Sequence, residues 1–226
     1  MSPEKVNRQV IRFYFDYISH NAYLAWTQIH TLAARYDQEV EPVPVLFAGL
    51  LKHYSQRGPA EIAPKRDWMI RNVLRKTVDL DIPFAPPASH PFNPLLALRV
   101  SCLPLPQDTR LRLIDALFRA VWVERRAVQQ VEVVQDVLAE LGLDAAAMLG
   151  LAQTVEIKQQ LLRQTEQALA EGIFGVPTMR IDEELFWGFD DLPYLERWLQ
   201  GDDPLVNADL AAWETVRPSA QRKLTE

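Results

Sequence analysis

Hydrophobic positions change their spacing several times along the chain, and each change marks an element. Ile11, Phe13, Phe15, Tyr17 and Ile18 read as a buried strand of aromatic and β-branched residues. Ser19 follows at the position of a helix N-cap. From there Ala22, Leu24, Ala25 and Ile29 fall on helical spacing, with the helix ending near Tyr36. Residues 39–45 alternate through Val40, Val43 and Val45 as a second strand, which Pro42 and Pro44 assign to a sheet edge or end. Two like strands around one helix require a crossover connection, so the first 45 residues form a β-α-β unit.

The next stretch is helical with interruptions. Residues 54–65 read as a loop, and a helix starts from Arg66 through Trp68, Met69, Val73 and Leu74. Five prolines between Pro83 and Pro94 exclude a helix there, and a short helix follows Asn93. Leu111, Ile114, Leu117, Phe118, Val121 and Trp122 give a helical stripe, and Val134, Val137, Leu138 and Leu141 repeat it up to a C-terminal Gly142. Asp144 opens residues 145–149, and a long helix covers roughly residues 153–171. Strand character returns over 172–182. A turn at Glu183 and Glu184, a strand over 185–187 and a helix from Asp190 to Leu199 complete a β-β-α unit. The pattern is an α/β fold in which an all-helical insertion separates two halves of a small sheet. Segments 9–53 and 172–200 form one unit, 54–171 the insertion and 201–226 a polar tail with one short helix near Leu210–Trp213.

Composition narrows the chemistry. The 226 residues carry a formal charge of −6, without a basic stripe, which argues against nucleic acid as the partner. There is no apolar run of membrane-spanning length and no apolar signal core near Met1, so a cytoplasmic protein with no membrane partner is expected. One cysteine, Cys102, excludes an intrachain disulfide and reads as a buried small hydrophobe. His20, His30, His53 and His90 do not pair at metal-ligand spacing, so no metal is expected. Two features remain. Ser19 sits at a strand-to-helix junction, where the helix N-terminus favours an anion; from the stretch alone it is equally a plain cap. Val176-Pro177-Thr178 opens a strand after the long helical insert.

Several motifs in order carry a family resemblance: Phe-Asp-Tyr-Ile-Ser at 15–19 with Tyr23-Leu24-Ala25, Val-Leu-Phe-Ala-Gly-Leu-Leu-Lys at 45–52, Pro64-Lys65, Asn93 with Leu-Leu-Ala-Leu-Arg at 95–99, Ala-Val-Trp at 120–122, Gly-Val-Pro-Thr at 175–178 and Phe-Trp-Gly-Phe-Asp at 186–190. With these the chain resembles the 2-hydroxychromene-2-carboxylate isomerases and the related kappa-class glutathione transferases from about Ile11 to Leu199. The resemblance implies a DsbA-like thioredoxin fold with a helical insertion, glutathione as cofactor, an aromatic small-molecule substrate and a homodimer. It implies that Ser19 faces the glutathione sulfur and that Val176, before a cis Pro177, pairs with the tripeptide backbone. It assigns Asp190 to the γ-glutamyl amine, and Gln56 falls near an asparagine of the family. His20, Lys52 and Asn93 are the candidate substrate contacts; His20 is an acid–base group near neutral pH or merely fills the place of the family's proline, and Lys52 reads equally as a solvated surface lysine. The chain departs from the family at His20 and Asn21, where Pro and Tyr are common, and at Phe189 and Asp191, where a small polar residue and an arginine are common. The expected activity is glutathione-dependent isomerisation of a hydroxychromene carboxylate or a similar intermediate of aromatic breakdown. A kappa-type transferase or peroxidase and a non-catalytic thioredoxin-like binding protein remain alternatives.

Overall fold

The computed structural model describes residues 9–220. The expected lead-in over residues 1–8 and the last six residues of the tail lie outside the described residues.

Two strands, β1 (Val10–Phe15) and β2 (Glu39–Pro44), flank helix α1 (His20–Arg35) and pair in parallel. The second half supplies β3 (Thr178–Ile181), β4 (Glu184–Trp187) and α9 (Leu192–Leu199). β3 joins β1 antiparallel and β4 joins β3 antiparallel, giving the order β2-β1-β3-β4. β2 is thus an edge strand, as its prolines require. Between the halves lie α2 (Phe47–His53), α3 (Ala63–Asp79), α4 (Leu95–Ser101), α5 (Gln107–Trp122), α6 (Val131–Glu140), α7 (Ala145–Ala152) and α8 (Val155–Ala170). The tail carries α10 (Leu210–Glu214).

Alternation along β1 feeds two cores. Ile11, Phe13 and Phe15 join Trp26 of α1 and Phe118 of α5 in the main cluster, with Phe15–Phe118 ring centroids 5.5 Å apart. Tyr14 points to the other face and packs with Val45, Leu50, Ala168, Ile173 and Val176. Successive strand side chains face opposite sides, so one hydrophobic run serves both.

Several boundaries differ from the sequence reading for local reasons. The first strand stops at Phe15 rather than Ile18, because the Asp16 carboxylate accepts the Ile18 N–H at 3.1 Å and turns the chain. Helix α3 begins at Ala63, three residues before Arg66. Pro64 falls in its first turn, where the missing N–H has no intrahelical partner to lose. A single 3-10 turn, Phe189–Asp191, precedes α9, so Asp190 lies outside the helix proper.

Candidate active site

The turn after β1 is built around a buried acid. Asp16 is 1 % exposed, and its two carboxylate oxygens accept the backbone N–H groups of Ile18 (3.1 Å) and Phe47 (2.9 Å). Its carbonyl accepts the Ser19 N–H at 3.1 Å. Asp16 therefore links the start of α2 to the turn that presents Ser19. Burial raises its pKa to about 7, against the pull of the Phe47 and Ile18 hydrogen bonds.

Ser19 is the N-cap of α1, and its Oγ accepts the Ala22 N–H at 3.1 Å. The same hydroxyl donates to the Val176 carbonyl at 3.2 Å, 157 residues away in the chain. The Val176–Pro177 peptide is cis. Its neighbours are fixed as well: the Pro177 carbonyl accepts the Gly188 N–H at 2.8 Å, and Thr178 Oγ1 donates to the Gly175 carbonyl at 2.8 Å. A Cβ at Gly175 would fall 2.5 Å from Trp187 Nε1, so any larger residue there must displace the indole. The Trp187 indole thus closes over the backbone beside Val176, while half of its own surface stays exposed. In α1 the N–H groups of His20 and Asn21 precede any carbonyl the helix can offer them.

Aromatic rings support the turn from below. Trp122 Nε1 donates to the Tyr17 carbonyl at 3.0 Å, and its ring stacks on Phe84. His90 packs on Trp122, with its Nε2 2.9 Å from the Ile18 carbonyl. A carbonyl can only accept, so this nitrogen carries the proton and Nδ1 is the free acceptor. His20 meets the edge of Trp122 at 6.0 Å. Its expected titration near neutral pH is corrected: burial first, then the charges of His90 and Lys76, lower its pKa to about 4. At pH 7 it is a neutral imidazole.

Lys76 of α3 completes the cluster. Its Nζ lies 2.7 Å from Asp190 Oδ2 and 5.2 Å from the Phe189 ring centroid. The aromatic departure at 189 thus gives the lysine a cation–π neighbour. The second departure, Asp191, accepts the Trp187 N–H at 2.8 Å and fixes the end of β4.

The structure brings Ser19, His20, Val176 and Pro177 together, and ties Asp190 to the cluster through Lys76. It does not connect the other candidates. Lys52 and Gln56 are exposed, with no side-chain hydrogen bond or ion pair to the cluster among the described residues. Asn93 is exposed and accepts the Leu95 N–H through Oδ1 at 3.0 Å, holding the start of α4. Sequence reasoning missed Asp16, Lys76 and His90 as parts of the site. The motif at 15–19 contained Asp16, but its isolation from any cation was visible only once the turn folded. Among the described residues no three His, Cys, Asp or Glu side chains are grouped to hold a metal, and no helix is long and apolar enough to cross a membrane.

Known proteins resemble this chain over most of its length. The chain is 27% identical over 196 residues to a 2-hydroxychromene-2-carboxylate isomerase of Sphingobium xenophagum, covering 84% of this chain and 98% of that one. It is 25% identical over 208 residues to glutathione S-transferase kappa 2 of Caenorhabditis elegans, covering 85% and 92%. The solved structure of a 2-hydroxychromene-2-carboxylate isomerase superposes with a TM-score of 0.79 at 26% identity, over 89% of this chain and 98% of that one. Residues 10–200 match the DSBA-like thioredoxin domain. A four-stranded thioredoxin-type sheet, a long helical insertion and that match together make the chain a member of the DSBA-like thioredoxin domain family.

Proposed function

We propose that the protein is a glutathione-dependent isomerase acting on 2-hydroxychromene-2-carboxylate or a similar intermediate of aromatic breakdown. The observation that carries this reading is the 3.2 Å approach of the Ser19 hydroxyl to the Val176 carbonyl at a cis-proline peptide. The names of the isomerase and kappa-transferase relatives support it.

The residues present fit the cofactor. The Ser19 hydroxyl is a donor at a helix N-terminus, held by a long hydrogen bond from which its proton can turn. The field of α1 favours negative charge beside it and lowers the pKa of a thiol held there. Once that proton turns away, the Val176 carbonyl is free to accept from a peptide strand. Asp190 keeps Oδ1 free of the Lys76 pair and can take an ammonium group. Held by Ser19, Val176 and Asp190, glutathione would supply a nucleophilic thiolate for reversible addition to a conjugated carbon. The Ser19 hydroxyl and the α1 N–H groups would hold that negative charge. His20, neutral at pH 7, would exchange a proton with substrate oxygen through one ring nitrogen. Lys52 and Asn93 remain our candidates for the substrate carboxylate, and Gln56 for a glutathione contact, after movement of exposed side chains. The reading includes a cytoplasmic homodimer, which light scattering tests for assembly.

Two measurements test the activity. Millimolar glutathione should raise the melting temperature, because a ligand of the native state stabilises it by linkage. Incubation with a hydroxychromene carboxylate and glutathione should give the ring-opened isomer with glutathione unconsumed. A melting temperature indifferent to glutathione defeats the reading. Consumption of glutathione into a conjugate instead favours the kappa-type transferase, for which the Caenorhabditis elegans relative speaks.

A further inference from the structure

A second concave surface shares no lining residue with the Ser19 site. It is a groove of about 530 Å³ between edge strand β2, the C-terminal end of α4, the first turn of α5 and one face of α8. That volume lies in the range of small-molecule sites. Three arginines line it, Arg12, Arg110 and Arg163, against one carboxylate, Glu41. The excess of positive charge is local, because the whole chain carries −6.

The three arginines are not equivalent. Arg12 is committed to Glu41 at 3.4 Å and Glu171 at 3.2 Å. Arg163 touches no carboxylate among the described residues and instead donates to Gln160 Oε1 at 2.9 Å. Gln160 Nε2 donates in turn to Gln164 Oε1 at 3.2 Å, and Gln164 Nε2 to the Pro44 carbonyl at 3.4 Å. Every donor in this chain points away from the arginine, so the Gln160 oxygen is turned towards it and the guanidinium is pre-oriented. Arg110 has no ion pair among the described residues, and its Nε is closed off from solvent without an acceptor. Its terminal guanidinium nitrogens have no side-chain partner among the described residues, so they are left to pair with an oxyanion in the groove. Cys102 also lines the groove, but burial pushes its thiol up to about 12, so it stays protonated and takes no covalent part.

The geometry points to a binding site for a small dianion, a phosphate ester or a dicarboxylate, held by Arg110 and Arg163. Inorganic phosphate and succinate are the probes, each titrated into the full chain at constant ionic strength while thermal unfolding is followed. At least one should raise the melting temperature saturably, and the one that does identifies the oxyanion. Arg110→Gln and Arg163→Gln should each weaken the apparent affinity by about tenfold, as for loss of one charge-assisted pair. Both variants should keep the response to glutathione, which separates this site from the one at Ser19. Arg163 is exposed, so R163Q remains a test if R110Q does not fold. The proposal is overturned if neither probe stabilises the wild type, or if both variants respond as the wild type does.

Discussion

The two ends of strand β1 solve the problem of charge in opposite ways. At its start, Arg12 reaches Glu41 and Glu171, and Glu171 is also held by Arg180, Gln167 and the Tyr14 hydroxyl. Burial works against the Glu171 carboxylate, yet those donors keep its pKa below the ordinary value. At the other end, Asp16 is more deeply enclosed and, among the described residues, is met by two backbone N–H groups and no cation. The first arrangement is a redundant network, open to solvent at Arg12 and Glu41. The second is dry and has no substitute partner. Only Phe13, Tyr14 and Phe15 separate Arg12, where charge is shared, from Asp16, where it is isolated, and the Ser19 site lies at the isolated end.

That contrast can be broken first at Asp16. Its folded pKa of about 7 exceeds the ordinary 3.8, so the native state keeps a proton that the unfolded chain releases. Its contribution to stability is complete below about pH 4 and is lost as pH rises through about 7, by up to about 4 kcal/mol for a three-unit shift. His20 acts in the opposite sense: its lowered pKa contributes stability above about pH 6.5 that is lost as pH falls through about 4. The two slopes oppose each other, so the difference between Asp16→Asn and the wild type is the quantity to measure by urea unfolding across that range. D16N should gain relative stability as pH rises; a constant difference would mean that Asp16 is not buried as a lone acid.

The next largest effect is expected at Ser19. Ser19→Ala should lower glutathione-dependent turnover by about 100-fold, the scale for loss of one donor to developing negative charge. The lost cap should cost only about 1 kcal/mol of stability. Turnover within twofold of wild type, measured at saturating glutathione, would make Ser19 a cap and nothing else. Gly175→Ala tests the packing beside it. The 2.5 Å approach to Trp187 predicts a loss of about 1–2 kcal/mol in chemical denaturation, with the indole fluorescence shifted as Trp187 is displaced. Arg12→Gln is the control at the solvent-open end. With its side chain 46% exposed, it should change stability by less than about 1 kcal/mol, and less again at high salt. A larger loss than D16N produces would reverse the comparison.

Much of this was legible from residue order. The β-α-β start follows from the aromatic alternation and the cap at Ser19, and the return to strand follows from Val176-Pro177-Thr178. The helix start at Asp144 is written locally, because its side chain accepts the Ala147 N–H three residues on. The site was legible only where motifs bring residue types together, as at 15–19 and 175–178. Lys76 was not, since its partner Asp190 lies 114 residues away and nothing near Lys76 marks it. Lys52, Gln56 and Asn93 illustrate the converse. The resemblance nominated them, yet each is exposed and none touches the Ser19 cluster, because a motif fixes an element's place more firmly than the reach of a flexible side chain. The pKa of His20 also lay beyond the sequence, since it depends on Trp122, His90 and Lys76 arriving from three other segments.

One further consequence follows from the prolines of β2. The N–H groups of Glu39 and Val45 point inward to the Gln9 and Phe15 carbonyls, so the alternation turns the nitrogens of Pro42 and Pro44 outward. The outer rim of the sheet on that side therefore lacks two of the donors that a neighbouring chain would need to zip onto it. Sheet-to-sheet polymerisation is blocked at one margin by covalent chemistry alone, and any growth by strand addition would have to begin at β4.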